Sequence, residues 1–232
     1  PLSHFDLLAF TSGYLEMSHS KGGDWPKWAR LKAMPRLPDD YEHPRSVPLA
    51  RVGKMYVDRR AVSRLGDMGV RSMKDVFALQ SARSLDKPGL ASFRQRVELP
   101  WPADSGQAGT IFLKRYNRPP IVEQIRRMYA TGLFRATAYH ETRYIKKLSL
   151  LGIPTVRSLA FGQKMSGVLE KYSFSITHGL TGVSLEKFLA EIKANNQPRP
   201  GYHQRREIVV QLGLLVGALH RHRLFHRDLY LC

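Results

Sequence analysis

Two short runs constrain this chain most: FRQRVEL at residues 93–99 and TIFLKRY at 110–116, rich in β-branched and aromatic residues and separated by a turn rich in Pro, Gly and Asp. Such runs bounded by turn formers predict paired antiparallel strands. An apolar run, VFAL, stands ahead of them at 76–79. After them Ala138, Glu141, Ile145 and Leu148 recur at three- and four-residue steps until Gly152 and Pro154, which predicts one helix over 135–151. Two more strands are expected at 155–162 and 169–177, then a turn at 178–180 and a short helix from Ser184. A loop over 195–201 leads to a long helix whose apolar stripe is Ile208, Val209, Leu212, Leu215, Val216 and Leu219. Strands followed by helices mark an α+β fold, here with two lobes.

Residues 1–60 have many Pro, Trp and charged residues and no sustained period, so they are expected to form an irregular basic extension. Trp25 and Trp28 either anchor at a membrane interface or pack on the neighbouring domain. The 232 residues carry 37 Lys and Arg against 19 Asp and Glu, a formal charge of +18. That balance favours an anionic partner: nucleic acid, acidic lipid headgroups or a phosphorylated glycan. The basic residues are spread without a run of five or six, as on a generally basic solvated surface. Cys232 is the only cysteine, which excludes an intrachain disulfide and suits a reducing compartment. The longest apolar stretch, 212–219, is far short of the ~20 residues of a membrane span.

Three positions invite chemistry, and each has a bland reading. Lys114 shares a strand face with Phe112 and Tyr116, so it either snorkels to water or meets an anion. Glu141 lies beside an apolar helix stripe, where an unpaired carboxylate is costly; it pairs with a strand lysine, or at the surface with Lys146 or Lys147. His226-Arg227-Asp228 follows a buried helix, and an Asp there can accept a proton from a hydroxyl or simply face water. Their order weighs more than any one of them. A strand lysine, a helix glutamate, a hinge and then HRD is the order of parts in protein-kinase-like folds. A G-x-G-x-x-G loop is absent. The stretch in its place runs from Gly89 to Arg94 ahead of Val97, where a single glycine leaves phosphate contacts to Ser92, Arg94 and Arg96.

FLKRYNRPP, ATAYHETRYIKKLSLLGIPTV, YSFSITHGLTGVSLEKFL and above all HRDLYLC resemble the lipopolysaccharide kinase family, which includes the heptose and Kdo kinases of lipopolysaccharide core assembly. The resemblance covers about residues 72–232, and Tyr-Leu-Cys after HRD-Leu is its most specific part. It implies a protein-kinase-like N-lobe over 61–180, with one helix on an antiparallel sheet, and the start of a helical C-lobe over 181–232. By resemblance, Lys114 is the phosphate-binding lysine, Glu141 its helix partner and Asp228 the catalytic aspartate. The nucleotide would meet Gly89, Ser92, Phe93 and Val97, and its adenine edge the backbone of Thr177, His178 and Leu180.

The resemblance further implies an ATP-dependent kinase using Mg²⁺ and acting on a sugar hydroxyl of an anionic glycolipid or lipopolysaccharide core. The enzyme would be cytoplasmic, peripheral on the inner face of the inner membrane. Lys114-Arg115, Arg126-Arg127 and Lys146-Lys147 are the basic pairs expected to meet that surface. The family's metal ligand falls five residues after the catalytic aspartate, at 233, and a second follows further on. No residue of this chain is therefore assigned to the metal, and the chain reads as C-terminally truncated and inactive alone. A pseudokinase scaffold and a protein Ser/Thr kinase are the alternatives; a nucleic-acid module would explain the charge but not the order of Lys, Glu and HRD.

Overall fold

The computed structural model describes residues 49–80, 83–85, 91–102, 109–180 and 201–224, with helical backbone also at 187, 190 and 194. The chain divides into two units, Glu42–Thr181, and Pro1–Tyr41 together with Gly182–Cys232. The first is a seven-stranded, wholly antiparallel sheet with helices, so the fold class is α+β.

Its strands are β1 (Leu49–Val52), β2 (Met55–Asp58), β3 (Arg83–Ser84), β4 (Arg94–Trp101), β5 (Gly109–Asn117), β6 (Ser158–Ser166) and β7 (Leu169–His178), in the spatial order β1-β2-β6-β7-β5-β4-β3. Two hairpins share one device. Val52 pairs with Met55 and Ser166 with Leu169, and each two-residue loop opens on a glycine at positive φ, Gly53 at 57° and Gly167 at 58°. A glycine in the first loop position suits a turn twisted like its strands. The β1–β2 hairpin lies inside the segment expected to be irregular. Its register with β6 explains why: Met55 and Val57 carry a short period-2 pattern into the core, too brief to stand out among prolines and charges.

One face of the sheet is the core. Met55 and Val57 of β2, Val97 and Leu99 of β4, Ile111 and Leu113 of β5, and Phe174 and Ile176 of β7 are buried there. Over them lie α1 (Val62–Asp67) and α2 (Met73–Ala78), which supply Leu65, Met73 and Val76. Ser72 caps α2 by accepting from the Asp75 amide, so the apolar run at 76–79 falls largely in a helix. Arg115 ties this layer together from within, donating to Gln95 Oε1 at 2.8 Å and to the Leu79 carbonyl at 2.6 Å.

Asp58 closes β2. Its fully buried carboxylate caps the following 3-10 turn through the Arg60 amide and accepts two N–H groups of Arg157, at 2.7 and 2.5 Å. Truncation would leave Arg157 without that anion and the turn without its cap. Asp58→Ala is expected to cost about 3 kcal/mol, the lower end for a broken buried pair because Arg157 is partly exposed; a chemical denaturation midpoint measures it.

The opposite face receives α4 (Thr137–Leu150), and α3 (Ile121–Thr131) lies beside α4, bonded to the carbonyls of Val168 and Glu170 at the β6–β7 turn. The helix expected over 135–151 is α4, and Gly152 ends it as foreseen: at φ 73° it lets the Ile153 amide bond back to the Leu148 carbonyl at 2.9 Å.

The second unit contains α5 (Tyr202–Arg221) among its described residues. It contains the expected helix, but Leu214, Val216 and Ala218 are the apolar residues it buries, while Ile208, Val209, Leu212, Leu215 and Leu219 are half-buried. Gly213 and Gly217 are buried as well, which an apolar stripe does not reveal. Arg223 at φ 55° ends the helix, with its amide on the His220 carbonyl and the Leu224 amide on the Leu219 carbonyl. No described helix is long and apolar enough to cross a membrane.

Candidate active site

The register of three strands sets the site. Arg96 of β4, Lys114 of β5 and Ser175 of β7 are cross-strand partners on the face that α4 covers. Lys114 Nζ donates to Glu141 Oε1, and Glu141 Oε2 accepts from Ser175 Oγ at 2.7 Å. Neither Lys146 nor Lys147 is the partner of Glu141; both sit on the exposed side of α4. The side chains of Lys114 and Glu141 remain 31% and 23% exposed, so the ammonium, with three N–H donors, can serve Glu141 and still present a donor to a ligand.

A buried network fixes the helix that carries Glu141. Glu170 of β7 has a fully buried carboxylate, and its Oε2 accepts from the Thr137 amide at 2.9 Å and the Thr137 hydroxyl at 2.8 Å. Its other oxygen accepts from Ser173 Oγ, which in turn accepts from the Ala138 amide at 3.3 Å. A carboxylate on the first amides of a helix satisfies donors that would otherwise have none and complements the helix dipole. Arg127 Nε lies 3.7 Å from Glu170 Oε2, and Gln124 bridges α3 to the backbone of Glu170. The acid that positions α4 thus stands on the same strand as Ser175, which steadies Glu141.

Charge and burial tune the surroundings. Burial first, and then the Glu141 charge, raise the Tyr116 phenol above its ordinary range, so it stays protonated near pH 7. His140 is pushed down by burial and then by Arg143, with Glu141 opposing, so it is neutral there. Arg94, 3.6 Å from Glu123, and Arg96 add positive charge on the Lys114 face of β4.

The expected nucleotide contacts separate into groups. Thr177 pairs with Phe112 and shares the face of Lys114. Ser92 and Phe93 lie in the turn before β4, where the Phe93 carbonyl accepts from the Asn117 amide at 2.8 Å, at the far end of β5. Val97 does not belong to the site. It pairs with Leu113 on the opposite face and is fully buried in the core, because a one-residue step along a strand reverses the side chain. His178 pairs with Ile111 on that opposite face too, against the edge of Trp101. Its amide goes to the Arg157 carbonyl and that of Gly179 to the Thr110 carbonyl, so both amides are held inside the protein. Gly179 must be glycine at this approach: a Cβ would stand 2.7 Å from the Thr110 carbonyl oxygen. Leu180 is exposed. Gly89 and Asp228 lie outside the described residues.

Arg96, expected from sequence among the phosphate contacts, does share the face of Lys114, whereas Ser175 and Glu170 were missed. Period-2 counting back from Thr177 reaches Ser175, so one signal was present; Glu170 needed the docking of α4. Among the described residues no cluster of three or more His, Cys, Asp or Glu could hold a metal ion.

Residues 101–232, more than half of the chain, match the model of the lipopolysaccharide kinase (Kdo/WaaP) family. Over 122 residues the chain is 30% identical to the lipopolysaccharide core heptose(I) kinase WaaP of Escherichia coli K12, covering 52% of this chain and 45% of that one. The corresponding Pseudomonas aeruginosa kinase is 30% identical over 96 residues, 41% of this chain and 35% of that one. The chain thus spans less than half the length of these relatives. A solved structure of WaaP in complex with acyl carrier protein is 19% identical with a TM-score of 0.33, over 62% of this chain and 48% of that one. With the family match covering the site from Trp101 onward, the chain belongs to the lipopolysaccharide kinase (Kdo/WaaP) family.

Proposed function

We propose that this chain takes part in an ATP-dependent kinase that phosphorylates a sugar hydroxyl of lipopolysaccharide core, heptose or Kdo, or of a related envelope glycolipid, at the cytoplasmic face of the inner membrane. The observation that carries this reading is the ion pair between Lys114 on a central strand and Glu141 on the helix over it. The printed names of the relatives, heptose(I) kinases of the lipopolysaccharide core, favour heptose.

In that role Lys114, oriented by Glu141 and Ser175, donates to non-bridging phosphate oxygens, and Arg96 on the same face adds positive charge where charge develops. With the His178 and Gly179 amides engaged, the adenine edge falls to Leu180 and the carbonyls beside it. Asp228, placed by sequence in the HRD loop, holds the acceptor hydroxyl in line and takes its proton. Mg²⁺, when bound, would neutralise the phosphates. By the family resemblance its ligands would follow the catalytic aspartate in the chain.

Two measurements test the reading. Saturating ATP with Mg²⁺ should stabilise the full gene product by about 2.7 kcal/mol at a hundred times its dissociation constant. Asp228→Ala should keep that shift while transfer to dephosphorylated core lipopolysaccharide falls at least about 10²-fold. An ATP shift without transfer in the wild type would point to a pseudokinase scaffold, and transfer to a protein substrate alone to a Ser/Thr kinase.

A further inference from the structure

Helix α3 is inside out. Its buried side is polar: Gln124 donates to the Pro119 and Glu170 carbonyls, and Arg127 donates to the carbonyls of Val168 and Arg135. Its outward side is apolar, with Ile121, Val122, Ile125 and Tyr129 all exposed, Tyr129 to 90%. At 100° per residue these four fall within about 100° of the helix circumference, one continuous ridge. Leu133 and Phe134 follow it, also exposed, in a loop pinned by Arg127 on the Leu133 carbonyl and by Gln163 on the Phe134 carbonyl. The helix cannot roll to hide the ridge without breaking the buried hydrogen bonds of Gln124 and Arg127.

A contiguous exposed apolar surface of this kind marks an interaction site. Its surroundings say which. Arg118 precedes the helix, Arg126 flanks the ridge and Arg135 closes the loop, all exposed, on a chain of formal charge +18. Like charge of that size opposes a second copy of the chain. An apolar ridge with an aromatic residue near its end and basic residues along its margin matches the headgroup boundary of an anionic bilayer. We propose that α3 and the following loop form a membrane-docking ridge that lies in the interface of an anionic lipid surface, with Ile125 and Tyr129 inserted and Arg118, Arg126 and Arg135 meeting headgroups. Of the basic pairs expected from sequence, Lys114-Arg115 and Arg126-Arg127 do not form this surface as pairs, since Arg115 and Arg127 are buried and Lys114 is bound to Glu141; Lys146 and Lys147 are exposed, on α4. The inference deepens the proposed function by naming the surface that brings the kinase site to a membrane-held acceptor. Vesicle binding is read without turnover, so either reading can fail while the other stands.

The test uses the chain with vesicles of phosphatidylcholine alone and of phosphatidylcholine mixed with phosphatidylglycerol. Sedimentation should show binding to the mixed vesicles that weakens with salt. Partitioning of the Ile125→Glu, Tyr129→Glu double variant should fall at least about tenfold, since losing apolar insertion and adding charge costs more than the 1.4 kcal/mol of one decade. In a Tyr129→Trp variant, lipids brominated on their acyl chains should quench the new fluorescence. The proposal is overturned if the double variant binds like the wild type, if zwitterionic vesicles bind equally well, or if Tyr129→Trp is not quenched. It is overturned equally if the double variant abolishes a concentration-dependent dimer or the binding of a soluble acidic protein while vesicle binding persists. Loss of folding in the double variant would show the ridge to be buried and has the same force.

Discussion

Lys114→Met is expected to abolish measurable phosphoryl transfer, a loss of about 10²–10³-fold or more, while lowering stability only slightly. The first effect follows from what Lys114 does. Its ammonium is hydrogen-bonded to the carboxylate of Glu141, and the bond from Ser175 to the other oxygen of Glu141 fixes that carboxylate in turn. A preorganised donor aimed at developing charge is worth about 3–4 kcal/mol in the transition state. The second effect follows from exposure. Glu141 keeps Ser175 and is 23% exposed, so water can take the vacated oxygen and the cost stays near 1 kcal/mol. Single-turnover kinetics with ATP, beside a denaturation curve, separates the two. Lys114→Arg should not rescue, because a planar guanidinium cannot occupy the place of an ammonium between Glu141 and a phosphate. Turnover retained in Lys114→Met would remove the strand lysine from the mechanism.

Glu170→Ala is expected to destabilise the fold by about 3–5 kcal/mol. The carboxylate is fully buried, holds both the amide and the hydroxyl of Thr137, accepts from Ser173 and faces Arg127. Without it the first turn of α4 loses its acceptor and the Arg127 guanidinium stays in the interior without its anion. Burial already lowers the affinity of Arg127 for its proton, and the Glu170 charge opposes that effect. At roughly 2–4 °C per kcal/mol for a chain of this size, the melting temperature should drop by at least about 6 °C. Because α4 also holds Glu141, nucleotide binding should weaken together with stability. Glu170→Gln, which keeps an oxygen for Thr137, should recover part of both. A melting curve for Glu170→Ala unchanged from the wild type would show that α4 docks through its apolar side chains alone.

The parts of this protein that were legible before its structure are those ruled by local period. Alternation in TIFLKRY put Lys114 on the face of Phe112 and Tyr116, and the cross-strand pairs confirm that face. The three- and four-residue steps around Glu141, stopped by Gly152, located α4 to within two residues at its start and one at its end. Val97 failed because neighbouring positions on a strand point oppositely, and only the register with Leu113 shows which of them faces Lys114. The hairpin of β1 and β2 escaped because four-residue strands carry too few alternations to be distinguished from irregular chain.

Helix α3 shows the boundary between the two kinds of knowledge. Its apolar residues do recur at helical spacing after Pro119-Pro120, yet a single helix, over 135–151, was expected between β5 and β6, and α3 is a second. Spacing alone says that the apolar side goes inward, and the opposite is true: Gln124 and Arg127 are buried and Tyr129 stands in solvent. What decided the orientation is the start of β7 at Glu170, whose backbone carbonyl and amide bond Gln124, 46 residues earlier, while its buried carboxylate faces Arg127; these groups become neighbours only once β7 has paired with β5. The sequence by itself determined the order of Lys114, Glu141 and Asp228, the strand face of the lysine and the family. Only the tertiary structure decided that Lys114 and Glu141 bond, which acid holds their helix, and that the apolar ridge of α3 faces outward, because each depends on hydrogen bonds between groups far apart in the chain.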